Sequence, residues 1–189
     1  MTTFRLRNEH ETTRDLIEDA KRGSETAWEH IYSTLAGPVT GYLRARGAPD
    51  PEDLCSEVFF QIARDIHRFD GNAEKFRSWV FVIAHRRLID ARRASMRRPE
   101  IVDEFATAVE FEGGDVEEEV MENLGNAWTA RVLETLTEEQ QEVLTLRVIA
   151  DLSLEETASV MGKRVGAVKA LQRRALIAAR RQLGEGGVS

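Results

Sequence analysis

Residues Asp151 to Leu183, DLSLEETASVMGKRVGAVKALQRRALIAARRQL, decide the fold. Ser153-Leu154-Glu155-Glu156 has the form of a capping box: the Ser153 hydroxyl can accept from a backbone N–H three residues on, and Glu156 can reach back to the Ser153 N–H. Ala158 and Met161 then fall on the inner side. Gly162 supplies the backbone freedom that a sharp helix-to-helix turn needs. From Arg164 the helical period resumes, and Val165, Val168, Leu171, Ala175, Leu176, Ala179 and Leu183 share one face at about 100° per residue. The opposite arc holds Gly166, Ala167, Lys169, Ala170, Arg173, Arg174, Arg180 and Arg181. From Lys163 to Arg181 there are seven basic residues and no acidic one. Small residues at the front of that arc let the backbone approach a groove, and the arginines behind them can bind phosphates or guanine edges. The stretch predicts a helix-turn-helix whose second helix reads DNA. The alternative is a structural helix with a solvated basic face, and the capped first helix and glycine turn weigh against it.

Working outward, Trp128 to Leu136 is expected to be a helix, and Thr137-Glu138-Glu139-Gln140 is a second capping box opening a helix that carries Val143, Leu144, Leu146 and Val148. These two support the helix-turn-helix, so residues 127–184 form one small helical domain, with 185–189 as a tail. Upstream, Pro99 to Asn126 holds ten acids, no base, and the breakers Pro99, Gly113, Gly114 and Gly125. That composition marks a flexible acidic linker, 99–126, and a domain boundary. Its acids either keep the linker soluble or compete with nucleic acid for the basic stretches on each side.

The first domain spans residues 13–98, after a mobile N-terminus of residues 1–12. Leu16, Ile17 and Ala20 mark a short helix that Gly23 ends. Ser24 caps a longer one with Trp28, Ile31, Tyr32, Leu35, Val39, Tyr42 and Leu43 as its stripe and a kink expected at Pro38. Asp50-Pro51-Glu52-Asp53 is a helix start by its capping acid, its proline and its acids near the positive end of the dipole. Leu54, Cys55, Val58, Phe59, Ile62, Ile66 and Phe69 form its inner face, and Cys55 there is core packing rather than a redox or metal group. Its outer face gathers Asp53, Glu57, Gln61 and Arg64 with an exposed Phe60, which is either a protein-binding surface or an ordinary exposed aromatic. Asp70 to Lys75 is a loop by composition. Phe76 to Ala84, FRSWVFVIA, is apolar nearly all round and so covered on several sides. From His85 the same helix becomes a basic rod suited to lying along a phosphate backbone, or a solvated helix end whose cations favour the negative end of the dipole.

A chain of 189 residues with 42% hydrophobic content can bury one sizeable core or two small ones. The net charge of −7 argues against a nucleic-acid partner only as an average. Arg77 to Arg98 carries seven Arg and one Asp, a local +6, so two positive islands flank the acidic linker. A single cysteine excludes an internal disulfide and fits the cytoplasm. No signal peptide or membrane insertion is expected.

The order of these parts resembles the extracytoplasmic-function (ECF) class of bacterial RNA polymerase sigma factors. The likeness rests on DPEDLCSEVFFQIARDI (Asp50 to Ile66), FRSWVFVIAHRRLIDARR (Phe76 to Arg93) and LTEEQQEVLTLRVIADLSLEETASVMGKRVGAVKALQRRAL (Leu136 to Leu176). It implies an all-α protein of two small domains, sigma-2 and sigma-4, that directs promoter recognition and transcription initiation in a stress or envelope response. The partners implied are core RNA polymerase, through its beta-prime clamp helices and beta flap, promoter DNA, and an anti-sigma factor. Asp53, Glu57, Phe60 and Gln61 match the clamp-docking face. Asn72 and Lys75, in the loop that holds a flipped base, and His85, Arg86, Arg92 and Arg93, along the duplex edge, match the minus-ten contacts. Arg164, Ala167, Lys169, Ala170, Arg173 and Arg174 match the helix that enters the major groove at the minus-thirty-five element. Arg86 stands where members often have asparagine, and Ser56 where glutamine is frequent.

No catalytic residue, metal or cofactor is expected. His10-Glu11-Thr12-Thr13 begins like a zinc-protease motif, but Arg14 stands where the second ligand belongs, and His30, His67 and His85 are scattered. The competing reading is a stand-alone helix-turn-helix repressor or activator.

Overall fold

The computed structural model describes residues 15–97 and 135–185, and within them the chain is all-helical. The helices are α1 (residues 15–21), α2 (Glu25–Ala45), α3 (Pro51–Asp65), a 3-10 turn (Ile66–Arg68), α4 (Ala73–Arg97), α5 (Glu138–Val148), α6 (Leu154–Met161) and α7 (Val165–Glu185). The N-terminus before residue 15, the acidic linker, most of the Trp128 to Leu136 helix and the end of the tail lie outside the described residues.

Local chemistry sets the boundaries. Gly23, at φ +86°, ends α1, and the Ser24 hydroxyl accepts from the Ala27 N–H to start α2. Pro38 lies inside α2, so it removes one ladder bond without ending the helix. Asp50 caps α3 by accepting from the Asp53 N–H at 2.8 Å, with Pro51 in the first turn. Ile31, Leu35, Val39 and Leu43 of α2 pack with Leu54, Val58 and Ile62 of α3 and with Val80, Phe81, Ala84 and Leu88 of α4. Cys55 lies in the same core. Both expected capping boxes form: Thr137 with Gln140 on α5, and Ser153 with Glu156 on α6. Gly162 takes the left-handed conformation, φ +62°, between α6 and α7.

The helix-turn-helix has its own core of Leu136, Val143, Leu144, Ala158, Val168, Leu171 and Ala175. It does not stand apart from the first four helices. Leu146, Ala150, Leu152 and Val160 are buried in the same cluster as the α2–α4 residues. Helix α5 is therefore a middle layer, and Glu142 through Leu146 are five consecutive buried residues. A helix with one inner stripe cannot bury five in a row, whereas one covered on two sides can.

That placement corrects two expectations. Val148, expected inside, is 75% exposed, because the two covered faces are already filled by its neighbours. Leu176, expected on the inner stripe of α7, is exposed beside Ile177, since the packed part of α7 runs through Val168, Leu171 and Ala175.

Candidate nucleic-acid interface

On α7, Arg164, Ala167, Lys169, Ala170, Arg173 and Arg174 are all exposed, while Val168, Leu171 and Ala175 anchor the helix from behind. No heavy atom lies within 4 Å of where a Gly166 Cβ would stand, so the front of the helix is open. The start of the helix is braced by an ion pair between Lys163 Nζ and Glu139 of α5 at 2.7 Å. Farther along, Leu176 and Ile177 lie with Lys169, Arg173 and Arg180 around a shallow groove of about 350 Å³. An array of exposed cations free of acids, on a rigid support, is what phosphate and base-edge contact requires.

The second expected DNA surface is built differently from the reading of the sequence. Helix α4 begins at Ala73, inside the stretch expected to be loop, because Asn72 caps it: its Oδ1 accepts from the Lys75 N–H at 3.1 Å. A capping amide uses its carbonyl and keeps its two N–H donors, so Asn72 can still donate to a base. Gly71 is fixed by space: a Cβ there would lie 2.8 Å from Phe69 Cζ and 3.0 Å from Lys75 Cβ. Beneath the loop, Phe69, Phe76 and Trp79 form a triangle with ring centroids 5.2–5.7 Å apart. Lys75, Arg86 and Arg93 are exposed. His85 and Arg92 are only partly exposed, since both are engaged by the C-terminal half of the chain.

That engagement centres on Glu142 of α5, 6% exposed. Its Oε1 lies 2.7 Å from His85 Nδ1 and accepts from the Tyr42 hydroxyl at 2.7 Å, while Oε2 accepts from Arg46 Nη2 at 3.1 Å. Arg46 also donates from Nη1 to Gln141 Oε1 at 2.8 Å, and its backbone carbonyl accepts from Arg92. Burial alone would raise the Glu142 carboxyl, but His85, Arg46 and Tyr42 outweigh it and hold the pKa below its ordinary value. Burial, reinforced by the neighbouring Glu142 charge, pushes the Tyr42 hydroxyl well above its ordinary value. Tyr42, Arg46 and Glu142 carried no functional signal in the sequence.

The outer face of α3 exposes Asp53, Glu57 and Phe60, the last at 72%. Gln61 is half-buried, because Arg87 of α4 donates from Nε to its Oε1 at 2.8 Å and pairs with Glu57 at 3.2 Å. Among the described residues no group of three or more His, Cys, Asp or Glu is arranged to hold a metal ion, and no helix is long and apolar enough to cross a membrane.

Two family models match the chain, Sigma-70 region 2 over residues 27–98 and Sigma-70, region 4 over residues 127–178. The chain is 36% identical to the ECF RNA polymerase sigma factor BldN of Streptomyces coelicolor, over 86% of this chain and 62% of BldN, whose length it therefore does not span. It is 35% identical to ShbA of Streptomyces griseus, over 85% of this chain and 90% of ShbA. Among solved structures it resembles CnrH, in complex with the cytosolic domain of CnrY, at a TM-score of 0.68 with 24% identity over 92% of this chain and 97% of that one. It also resembles the sigma factor RpoE of Bartonella quintana, solved with the anti-sigma factor NepR, at a TM-score of 0.62 with 17% identity over 82% and 96%. At those identities the structural likeness concerns the fold.

Proposed function

The chain belongs to the ECF RNA polymerase sigma factors, non-enzymatic initiation subunits that bind core polymerase and select promoters, and from that premise we propose how its own residues divide the work. Residues 13–98 form the sigma-2 domain and 127–184 the sigma-4 domain, with 99–126 as the connection. The observation that carries the proposal is the exposed, acid-free cationic face of α7 on a capped helix-turn-helix, in one chain with the acidic and aromatic outer face of α3.

Arg164, Lys169, Arg173 and Arg174 bind the upstream element in the major groove, with Ala167 and Ala170 allowing close approach. Asn72 and Lys75 hold a base unstacked from the minus-ten element, and His85, Arg86, Arg92 and Arg93 follow its duplex edge. Asp53, Glu57, Phe60 and Gln61 dock on the beta-prime clamp helices, and the sigma-4 domain docks on the beta flap. Phosphate contacts supply salt-dependent affinity, and each good base contact adds roughly 1–3 kcal/mol of discrimination. Capture of an unstacked base offsets a few kcal/mol of unpairing, so binding itself drives melting. No group of the sigma factor takes part in bond making.

The site of action is the cytoplasm. An anti-sigma factor holds the protein inactive, and the support for this is a cleft of about 950 Å³ between the two halves, lined by Leu16, Ile31, Leu35, Phe76 and Leu154, which suits an amphipathic helix. Mixing the purified chain with sigma-free core polymerase and a supercoiled promoter library tests the whole reading. Promoter-specific transcripts are expected; binding to DNA without any such transcript would favour a stand-alone repressor or activator.

A further inference from the structure

We propose that Arg87 is a positioning residue for polymerase docking: reaching across from α4, its guanidinium sets Glu57 and Gln61 of α3 in the arrangement that meets the partner. The proposal rests on the assignment of the outer face of α3 to the clamp helices. It adds a residue from outside that face, on the helix that carries the promoter contacts.

The geometry is that of a fork. Nε of Arg87 donates to Gln61 Oε1 at 2.8 Å, while Nη1 donates to Glu57 Oε2 at 3.2 Å. A guanidinium only donates, so the carbonyl end of Gln61 is the end that turns to α4. A carboxylate only accepts, so the amide end of Gln61 is the one that hydrogen-bonds Asp65, which also accepts from Arg64 Nε at 3.2 Å. Glu57, Gln61 and Asp65 are spaced at helical i, i+4 intervals and form one row along α3. Arg87 holds two of the three from the neighbouring helix, and the third holds the second.

The support beneath the fork is rigid. Val58 and Ile62 of α3 are buried in one core with Phe81, Ala84 and Leu88 of α4, which fixes the spacing of the two helices. Unrestrained glutamate and glutamine side chains on a helix surface sample several rotamers, and docking must order them. A fork that has already ordered them removes that loss of entropy from the binding step. The Glu57 pair is open to water and adds little to folding, so the effect of Arg87 belongs to docking. Lysine would not serve equally, since its ammonium is a point charge without the planar fork that spans both acceptors.

The test titrates the full chain with sigma-free core polymerase. Arg87→Met keeps the apolar stem and removes the fork. Core affinity is expected to fall about fivefold, as two ordered side chains are released, with the melting temperature and binding to duplex DNA little changed. Arg87→Lys should lie between the parent chain and Arg87→Met; full recovery by lysine would overturn the fork and leave only a charge. In a chain already carrying Glu57→Ala and Gln61→Ala, Arg87→Met should have no further effect, because nothing remains to be positioned. The same fivefold loss in that background would overturn the proposal by making Arg87 a direct contact of polymerase. Phe60→Ala, on the same face and with no polar atom for Arg87 to hold, tests docking itself. Unchanged affinity in Arg87→Met beside a loss in Phe60→Ala would overturn the positioning and keep the docking face. Unchanged affinity in both would overturn the two together.

Discussion

Arg87 of α4 donates to the Gln61 side chain of α3 at 2.8 Å and pairs with Glu57 at 3.2 Å, so one cation orders two of the residues assigned to polymerase docking. The pair with Glu57 is solvent-exposed and contributes at most about 1 kcal/mol to folding. Its larger effect is to orient the face.

Glu57→Lys sets a cation beside Arg87 and reverses the charge offered to the clamp. Affinity for core polymerase is expected to fall at least about tenfold, while the melting temperature moves by only a few degrees. Fluorescence titration with core enzyme and a thermal melt measure the two. An unchanged affinity would remove this face from the docking surface.

Acid should loosen the contact of α5 with α2 and α4 at Glu142. The Glu142 pKa is held below its ordinary 4.5, so the folded value lies under the unfolded one. Its stabilisation is therefore complete above that ordinary value and is lost as pH falls through the folded value. The groups facing the carboxylate are Tyr42 and Arg46 from α2 and His85 from α4. Energy transfer between dyes on Ser33→Cys and Ser159→Cys in a Cys55→Ala background is expected to drop below pH 4.5 and to lack that step when Glu142→Gln is added. An identical drop in both would assign the transition to other carboxylates.

Much of the architecture was legible because it is written in local chemistry. The capping boxes at Thr137 and Ser153, the Asp50-Pro51 start and the glycine turn at Gly162 each have a mechanism within four residues, and each forms as expected. The cationic face of α7 followed from helical period alone. What the sequence could not show was contact between distant segments. Glu142 is drawn inside by Tyr42, Arg46 and His85, residues far away in the chain, and nothing in the local pattern around Gln141-Glu142-Val143 announces them. Val148 and Leu176 were misplaced for the same reason, since period gives a face but not what covers it.

Gly71 offers a test of the loop that is independent of Glu142 and its partners. A methyl group there meets the Phe69 ring at 2.8 Å and the Lys75 side chain at 3.0 Å, so Gly71→Ala must shift the loop or the aromatic triangle beneath it. Stability is expected to fall by about 1–3 kcal/mol, the usual cost of overpacking. Binding to the single-stranded minus-ten tail should weaken severalfold, with duplex binding at the upstream element unchanged. Equal losses at both elements would mean that the substitution acts through global unfolding.

Arg173 separates base reading from charge. It is exposed on α7 between the small residues Ala167 and Ala170 and the exposed end of the helix, and its neighbour Arg174 is turned back, with Nε donating to the Ala170 carbonyl at 3.3 Å. Arg173 is thus the better placed of the two to reach a base edge. A guanine contact is worth roughly 1–3 kcal/mol of discrimination, whereas a phosphate contact weakens all sequences alike and lowers the salt slope by about 1. Arg173→Ala is expected to reduce affinity for the cognate upstream element about fivefold or more beyond its effect on random duplex. Titrations of both duplexes at two salt concentrations measure the difference. Parallel losses with a shallower salt slope would make Arg173 a phosphate clamp and leave base reading to Arg164 and Lys169.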